Sequence, residues 1–172
     1  SCGRLFDAVA AILGLVSVST YEGQAAIALE QEIVERGDQM YDNVITHLAP
    51  CRGAIAVNRL IKSVVEHHLA GRSAATIAVS FHNTLAEMFV RTVEEARRET
   101  SINQVGLSGG VFQNVYLSNR IERLLIERGF RVLTHQQTPT NDGGIALGQI
   151  LIAEAQTCLL YTSPSPRDSI AS

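Results

Sequence analysis

The chain has 172 residues, enough for one domain or part of one, and is 46 % hydrophobic but only 5 % aromatic, so its core must rest on Leu, Ile, Val and Ala. Its formal net charge of −3 and its 14 scattered basic residues provide no field or stripe to attract nucleic acid or an anionic membrane. Apolar runs stay short of the ~20 residues a bilayer crossing needs, and Cys2, Cys51 and Cys158 are too far apart for a zinc motif or a disulfide framework.

Reduced thiols and a cytoplasmic location are therefore expected. No signal segment opens the chain. It begins inside a helix-like stretch, SCGRLFDAVAAILG, without an initiator Met, as expected of a piece cut from something longer.

Leu5, Val9, Ile12 and Leu13 recur at helical spacing, and Gly14 stops that helix. The small-residue loop STYEGQAA opens a second helix, predicted over residues 24–36. Residues 37–56 carry no clear pattern. Leu60, Ile61, Val64, Val65 and Leu69 mark a third helix, ended by Gly71. A long helix is predicted over residues 74–98, with Ile77, Phe81, Leu85, Phe89 and Val93 in line and Met88 beside them. His82 falls within it, where a packing role is expected rather than catalysis.

Two β-α units follow. Residues 105–107 read as a buried strand and residues 108–110 as its turn. Leu117, Ile121, Leu124 and Leu125 line a helix ended by Gly129. Residues 130–133 read as a second strand, TPTNDGG as a loop, and residues 145–154 as the last helix. Strand, helix and strand with a parallel crossover is the economical topology, which makes the fold class α/β. The closing TCLLYTSPSPRDSIAS crowds Ser, Thr and Pro without an apolar face. Within it LLYTSPSPRD resembles translated adapter sequence, so residues 157–172 are expected to be a non-native disordered tail.

Three segments carry residues suited to binding chemistry. In VGLSGGVFQN a strand runs through Gly109 and Gly110 into a helix. Glycines allow a ligand to approach the backbone closely, and a helix N-terminus offers free N–H groups to phosphate. Asn114 can present its amide to a ribose or phosphate oxygen, or simply cap the helix. In TPTNDGG, Asp142 can hold a metal that neutralises nucleotide phosphates, or serve as a plain cap beside Asn141. In the opening helix Asp7 lies opposite Leu5, available to ribose hydroxyls or only solvated, and Gly23 offers close approach or merely a turn. His47, His67, His68, His82 and His135 form no H-x-x-x-H or H-E-x-x-H pair, and no P-loop or G-x-S-x-G elbow is present.

Taken in order, GRLFDAVAAILGL, TYEGQAAIALE, FHNTLAEMF, LSGGVFQN and NDGGIALGQ resemble the C-terminal region of HypF-type carbamoyltransferases, the hydrogenase-maturation proteins, across nearly all of residues 1–156. The resemblance implies the second half of an actin-like, sugar-kinase-like nucleotide-binding lobe. It implies an enzyme that makes carbamoyl adenylate from carbamoyl phosphate and ATP. That enzyme passes the carbamoyl group to the C-terminal cysteine of a HypE partner, for the cyanide ligands of nickel–iron hydrogenase. Asp7, Gly23, Gly109, Gly110 and Asn114 would then contact the nucleotide, and Asp142 would be one ligand of a divalent metal. The relatives' other metal ligands, a histidine pair on an H-x-x-x-H helix, have no counterpart here. Catalysis by this chain alone is not expected. These five motifs imply that Asp7, Gly23, Gly109, Asn114 and Asp142 ring one open cleft. A tRNA threonylcarbamoyl transferase relative, a sugar or acetate kinase, and an inert nucleotide-binding piece are the alternatives. NDGGIALGQ and FHNTLA favour the hydrogenase branch over the first, and the ordered set of motifs points away from the second.

Overall fold

A computed structural model describes residues 1–34, 37–46 and 57–161. Among them the order is α1 (Cys2–Ile12), α2 (Gln24–Gln31), α3 (Asp42–Thr46), α4 (Val57–Leu69), α5 (Ala74–Thr100), β1 (Gln104–Leu107), a 3-10 turn (Gly110–Gln113), α6 (Val115–Glu127), β2 (Arg131–Thr134), a second 3-10 turn (Asp142–Gly144) and α7 (Ile145–Tyr161). The mixed α/β class is as expected, and it is rich in helix. The strands β1 and β2 pair in parallel, with Gln104 opposite Arg131 and Leu107 opposite Thr134, and α6 makes the crossover between them.

The fold is organised around α5, which packs against α3, α4 and α6. Ser73 caps its start, accepting from the Thr76 backbone N–H at 3.2 Å. From residue 77 to residue 88 every side chain is buried. Phe81 meets Phe6 of α1 edge-on, with ring centroids 5.1 Å apart. A helix enclosed on all sides is ordinarily apolar on all sides. Here α5 instead carries His82, Asn83 and Thr84 in succession, each 0 % exposed. Buried polar groups need partners, and these side chains find them on neighbouring segments. Thr84 Oγ1 donates to Ser80 O at 2.6 Å and accepts from the Tyr41 N–H at 2.9 Å. Asn83 Nδ2 donates to Gly37 O and Gln39 O at 2.7 and 3.0 Å, and its Oδ1 accepts from the Tyr116 hydroxyl at 3.0 Å.

Those bonds explain a departure from the sequence pattern. The second helix, predicted over residues 24–36, ends at Gln31, and Ile33 and Val34 already form turns. Tertiary bonds from Asn83 hold the following chain extended across α5, which a continued helix would prevent. Arg36, the predicted end, lies outside the described residues, as do His47, Cys51 and the rest of residues 47–56, the second half of the unpatterned stretch. Two further departures concern the β-α units. Only Leu107 of β1 is buried, because the sheet has two strands and a single covered face. The last helix continues past residue 154 to Tyr161, into the stretch set apart as a tail, whose residues 162–172 lie outside the described part.

The other elements follow the pattern closely. Leu5, Phe6, Val9 and Ala10 bury one face of α1, and Leu117, Ile121 and Leu125 one face of α6. Both carboxylate oxygens of buried Glu87 accept from Arg128 Nη2, at 2.8 and 2.7 Å, and Oε1 takes a further bond from Arg91 at 2.9 Å, joining α5 to the end of α6. By contrast α7 is apolar nearly all round, yet Ile145, Leu147, Ile150, Leu151 and Ile152 are 46–63 % exposed.

α5 ends on Ser101, at φ 60° in the left-handed region where a residue without Cβ is favoured. Ser101→Gly is expected to stabilise the chain by about 0.5–1 kcal/mol, raising the midpoint of a thermal melt followed by circular dichroism.

Candidate functional site

Three of the quoted motifs meet at the start of α6. Asn114, at the end of LSGGVFQN, is the N-cap, its Oδ1 accepting from the Leu117 N–H at 2.8 Å. Glu30, at the end of TYEGQAAIALE, reaches across from α2, and its Oε1 accepts from the Tyr116 N–H at 2.8 Å. His82 of FHNTLAEMF stands behind the cap, its Nε2 3.0 Å from Asn114 Nδ2 and its Nδ1 2.7 Å from Ala78 O. Phe6 and Tyr116 pack edge-on against the His82 ring at 5.3 and 5.6 Å between centroids.

This network fixes the charge of His82. The Leu117 N–H can only donate, so the oxygen of the Asn114 amide must face it and the nitrogen must face His82. Nε2 is then an acceptor and carries no proton. Ala78 O can only accept, so Nδ1 carries the ring's hydrogen. The imidazole is neutral, and burial drives its pKa down from an ordinary 6.5 to about 4, against the upward pull of the Ala78 bond. The expectation of a packing role for His82 holds, with the added task of orienting the cap.

Two expectations for phosphate binding change as a result. The helix start was expected to offer free N–H groups, but those of Tyr116 and Leu117 are already engaged by Glu30 and Asn114. Asn114 was expected on the rim of an open cleft, but its side chain is buried, 6 % exposed, and both amide atoms have protein partners. The plainer of its two readings, the helix cap, describes it.

The glycine turn remains open. Gly109 has φ 116° and ψ 158°, a conformation restricted to glycine, and its N–H donates to Thr140 O at 2.7 Å. Gly110 is exposed, with nothing within 4 Å of where a Cβ would stand. The Thr140 bond draws the TPTNDGG loop against this turn. In that loop Asn141 rather than Asp142 is the cap, its Oδ1 accepting from the Gly143 N–H at 3.1 Å. The Asp142 carboxylate is left exposed. His135, just after β2, adds bonds of 3.0 Å from its two ring nitrogens to Ser108 Oγ and Thr138 Oγ1.

Asp7 and Gly23 come from the other side. α1 packs against α2 and against the 3-10 turn that follows Gly109, and Asp7 lies on its exposed face. Gly23, at φ 79°, is the exposed N-cap of α2. The structure thus links the glycine turn directly to the Asp142 loop, and α1 links the turn to α2. It does not place Asn114 among exposed groups. Among the described residues no three His, Cys, Asp or Glu side chains gather as a metal site, so Asp142 is a single carboxylate here. A separate groove of about 360 Å³ lies on the flank of α6, lined by Gly37, Asp38, Tyr116, Asn119, Arg120 and Arg123.

Comparison with known proteins decides which family the chain belongs to. The family model described as carbamoyltransferase, Kae1-like domain, second subdomain, matches residues 1–149. The chain belongs to the HypF carbamoyltransferase family. It is 38 % identical over 160 residues to carbamoyltransferase HypF of Rhodobacter capsulatus, covering 91 % of this chain and 20 % of that protein. With carbamoyltransferase HypF of Synechocystis it shares 35 % identity over 151 residues, covering 88 % of this chain and 19 % of the relative. A crystal structure of full-length HypF in its phosphate- and nucleotide-bound form superposes with a TM-score of 0.79 at 38 % identity, over 89 % of this chain and 20 % of that one. The chain therefore spans about a fifth of the length of the HypF relatives it matches.

Sequence reasoning missed Glu30, Ser108 and Thr138, and gave His135 no role. Nothing beside Glu30 in the sequence sets it apart. Its partner is a backbone N–H 86 positions away, and no local pattern announces such a bond.

Two stability outcomes follow. As pH falls from 6.5 toward 4, the unfolded chain binds a proton at His82 that the folded chain refuses, so stability declines by about 3 kcal/mol across that window. Denaturant titrations at pH 7 and pH 4.5 check this, and His82→Gln should show a shallower acid loss. At the glycine turn, Gly109→Ala should lower stability by about 1–3 kcal/mol through backbone strain. Gly110→Ala should stay within about 0.5 kcal/mol.

Proposed function

We propose that the chain is the nucleotide-holding subdomain of a HypF-type carbamoyltransferase, with residues 1–156 as the domain segment and residues 157–172 as a non-native tail. In the complete enzyme, carbamoyl phosphate and ATP form carbamoyl adenylate, and the thiolate of the C-terminal cysteine of a HypE partner attacks its carbamoyl carbon. The bond from that carbon to the phosphate oxygen breaks, AMP leaves, and the thiocarbamate is later dehydrated toward the cyanide ligands of nickel–iron hydrogenase. The enzyme works in the cytoplasm. The observation that carries this reading is the junction of the open glycine turn with the Asp142 loop through the Gly109 to Thr140 bond of 2.7 Å, in a chain whose structural neighbour holds phosphate and nucleotide.

Each predicted residue then has a physical task. Gly110 leaves room for the adenosine or its phosphates to approach the backbone, and Gly109 bends the turn that presents it. Asp7 and Gly23, both exposed on neighbouring helices, take the ribose side. Asn114, buried and engaged by His82 and Leu117, acts on the nucleotide through the turn it anchors. Asp142 fits a divalent metal as a single oxygen ligand, and a complete coordination shell needs groups from outside this chain. When bound, the metal neutralises phosphate charge. Holding the leaving group and balancing its charge are the main requirements of the transfer.

The test uses a full-length family enzyme carrying this chain as its corresponding segment, titrated calorimetrically with ATP and Mg²⁺. Asp142→Ala and Asp7→Ala should each weaken binding about tenfold or more, with unchanged melting temperatures because both side chains are exposed. Asn114→Ala is a poor substitute, since losing the buried cap costs about 1–2 kcal/mol of stability by itself. Binding indifferent to both aspartates would sink the proposed site, and no carbamoylated thiol on the partner by mass spectrometry would sink the reaction.

A further inference from the structure

His135 stands between two loops that have no other side-chain link among the described residues. Its Nε2 lies 3.0 Å from Ser108 Oγ, in the turn that presents Gly109 and Gly110. Its Nδ1 lies 3.0 Å from Thr138 Oγ1, at the head of the loop that carries Asp142. One five-membered ring thus spans from the glycine turn to the metal-ligand loop, and all five of its atoms are held in one rigid plane.

Among the described residues the one other hydrogen bond between these two loops is the backbone contact from Gly109 N to Thr140 O, at 2.7 Å. One bond fixes a separation but leaves a hinge. The two imidazole bonds act at different points along both loops and remove that freedom. The chemistry of the partners matters as well. Ala78 O and the Asn114 amide lock the tautomer of His82. The partners of His135 are hydroxyls, which donate or accept by rotating about one bond. The brace therefore holds with either ring nitrogen protonated.

We infer that His135 is a positioning residue of the nucleotide site: it braces the Ser108 turn against the Thr138 end of the Asp142 loop, so that phosphate-facing backbone and metal-facing carboxylate keep one separation. This inference rests on the nucleotide-binding reading above. His135 touches neither nucleotide nor metal. It acts by reducing what the two loops lose in conformational freedom when a nucleotide with its metal bridges them, and so it raises affinity without entering the chemistry.

The test again uses the full-length family enzyme carrying this chain, with ATP and Mg²⁺ as the probe. His135→Ala should weaken ATP binding about tenfold, the effect of losing two neutral hydrogen bonds. It should raise KM for ATP while kcat at saturating ATP stays within about twofold, because the chemistry is untouched. His135→Gln can reach Ser108 and His135→Asn can reach Thr138, so each should recover part of the affinity. The melting temperature should not move, since His135 is exposed. A His135→Ala enzyme that binds ATP as tightly as its parent overturns the brace while leaving the nucleotide reading intact. A fall in affinity that tracks a fall in melting temperature, unrelieved by Gln or Asn, also overturns it. If the parent enzyme binds no ATP, the nucleotide reading fails first and the brace with it.

Discussion

The start of α6 is the constraint on which the rest of this structure depends. The first N–H groups of a helix have no acceptor within it, and those turned into the protein must find one elsewhere. Here the acceptors are Asn114 from the preceding turn and Glu30 from α2, and His82 from α5 holds the Asn114 amide the right way round. Three elements far apart in sequence are thereby fixed at one point. The glycine turn that precedes α6 inherits its position from that point.

The arrangement divides labour among residues that look alike in a list of motifs. Asn114, Glu30 and His82 face inward and satisfy one another. Gly110, Asp7 and Asp142 are exposed, and among the described residues neither carboxylate has a hydrogen bond or ion pair to lose when a ligand arrives. The neutral, buried imidazole belongs to the first group because a charged ring would present a second donor to the Asn114 amide. Its low pKa follows from burial, against the upward pull of the Ala78 bond.

The succession His82, Asn83, Thr84 shows why a central helix can carry polar residues without weakening the core. Successive residues on a helix point about 100° apart, so each side chain meets a different neighbour: α6, the segment at residues 37–39, and Tyr41 before α3. Each side chain makes at least one bond from α5 to another segment, and His82 and Thr84 also bond Ala78 O and Ser80 O within the helix. The polar run therefore sets how those elements dock, which apolar contacts alone specify loosely.

The helices α1, α4, α5 and α6, the parallel pair of strands, the glycine turn and the family were all legible in the linear chain. Each depends on local periodicity, on terminal glycines, or on motifs whose order survives in a linear reading. Only the tertiary structure decided that α2 stops at Gln31, that Glu30 caps a helix 86 positions away, and that Asn114 faces inward. It also decided that His135 joins two loops. The physical reason is common to all four. A hydrogen bond between distant segments depends on where the chain has already packed, and a local pattern records the tendency of a residue to bond but not the partner it will meet.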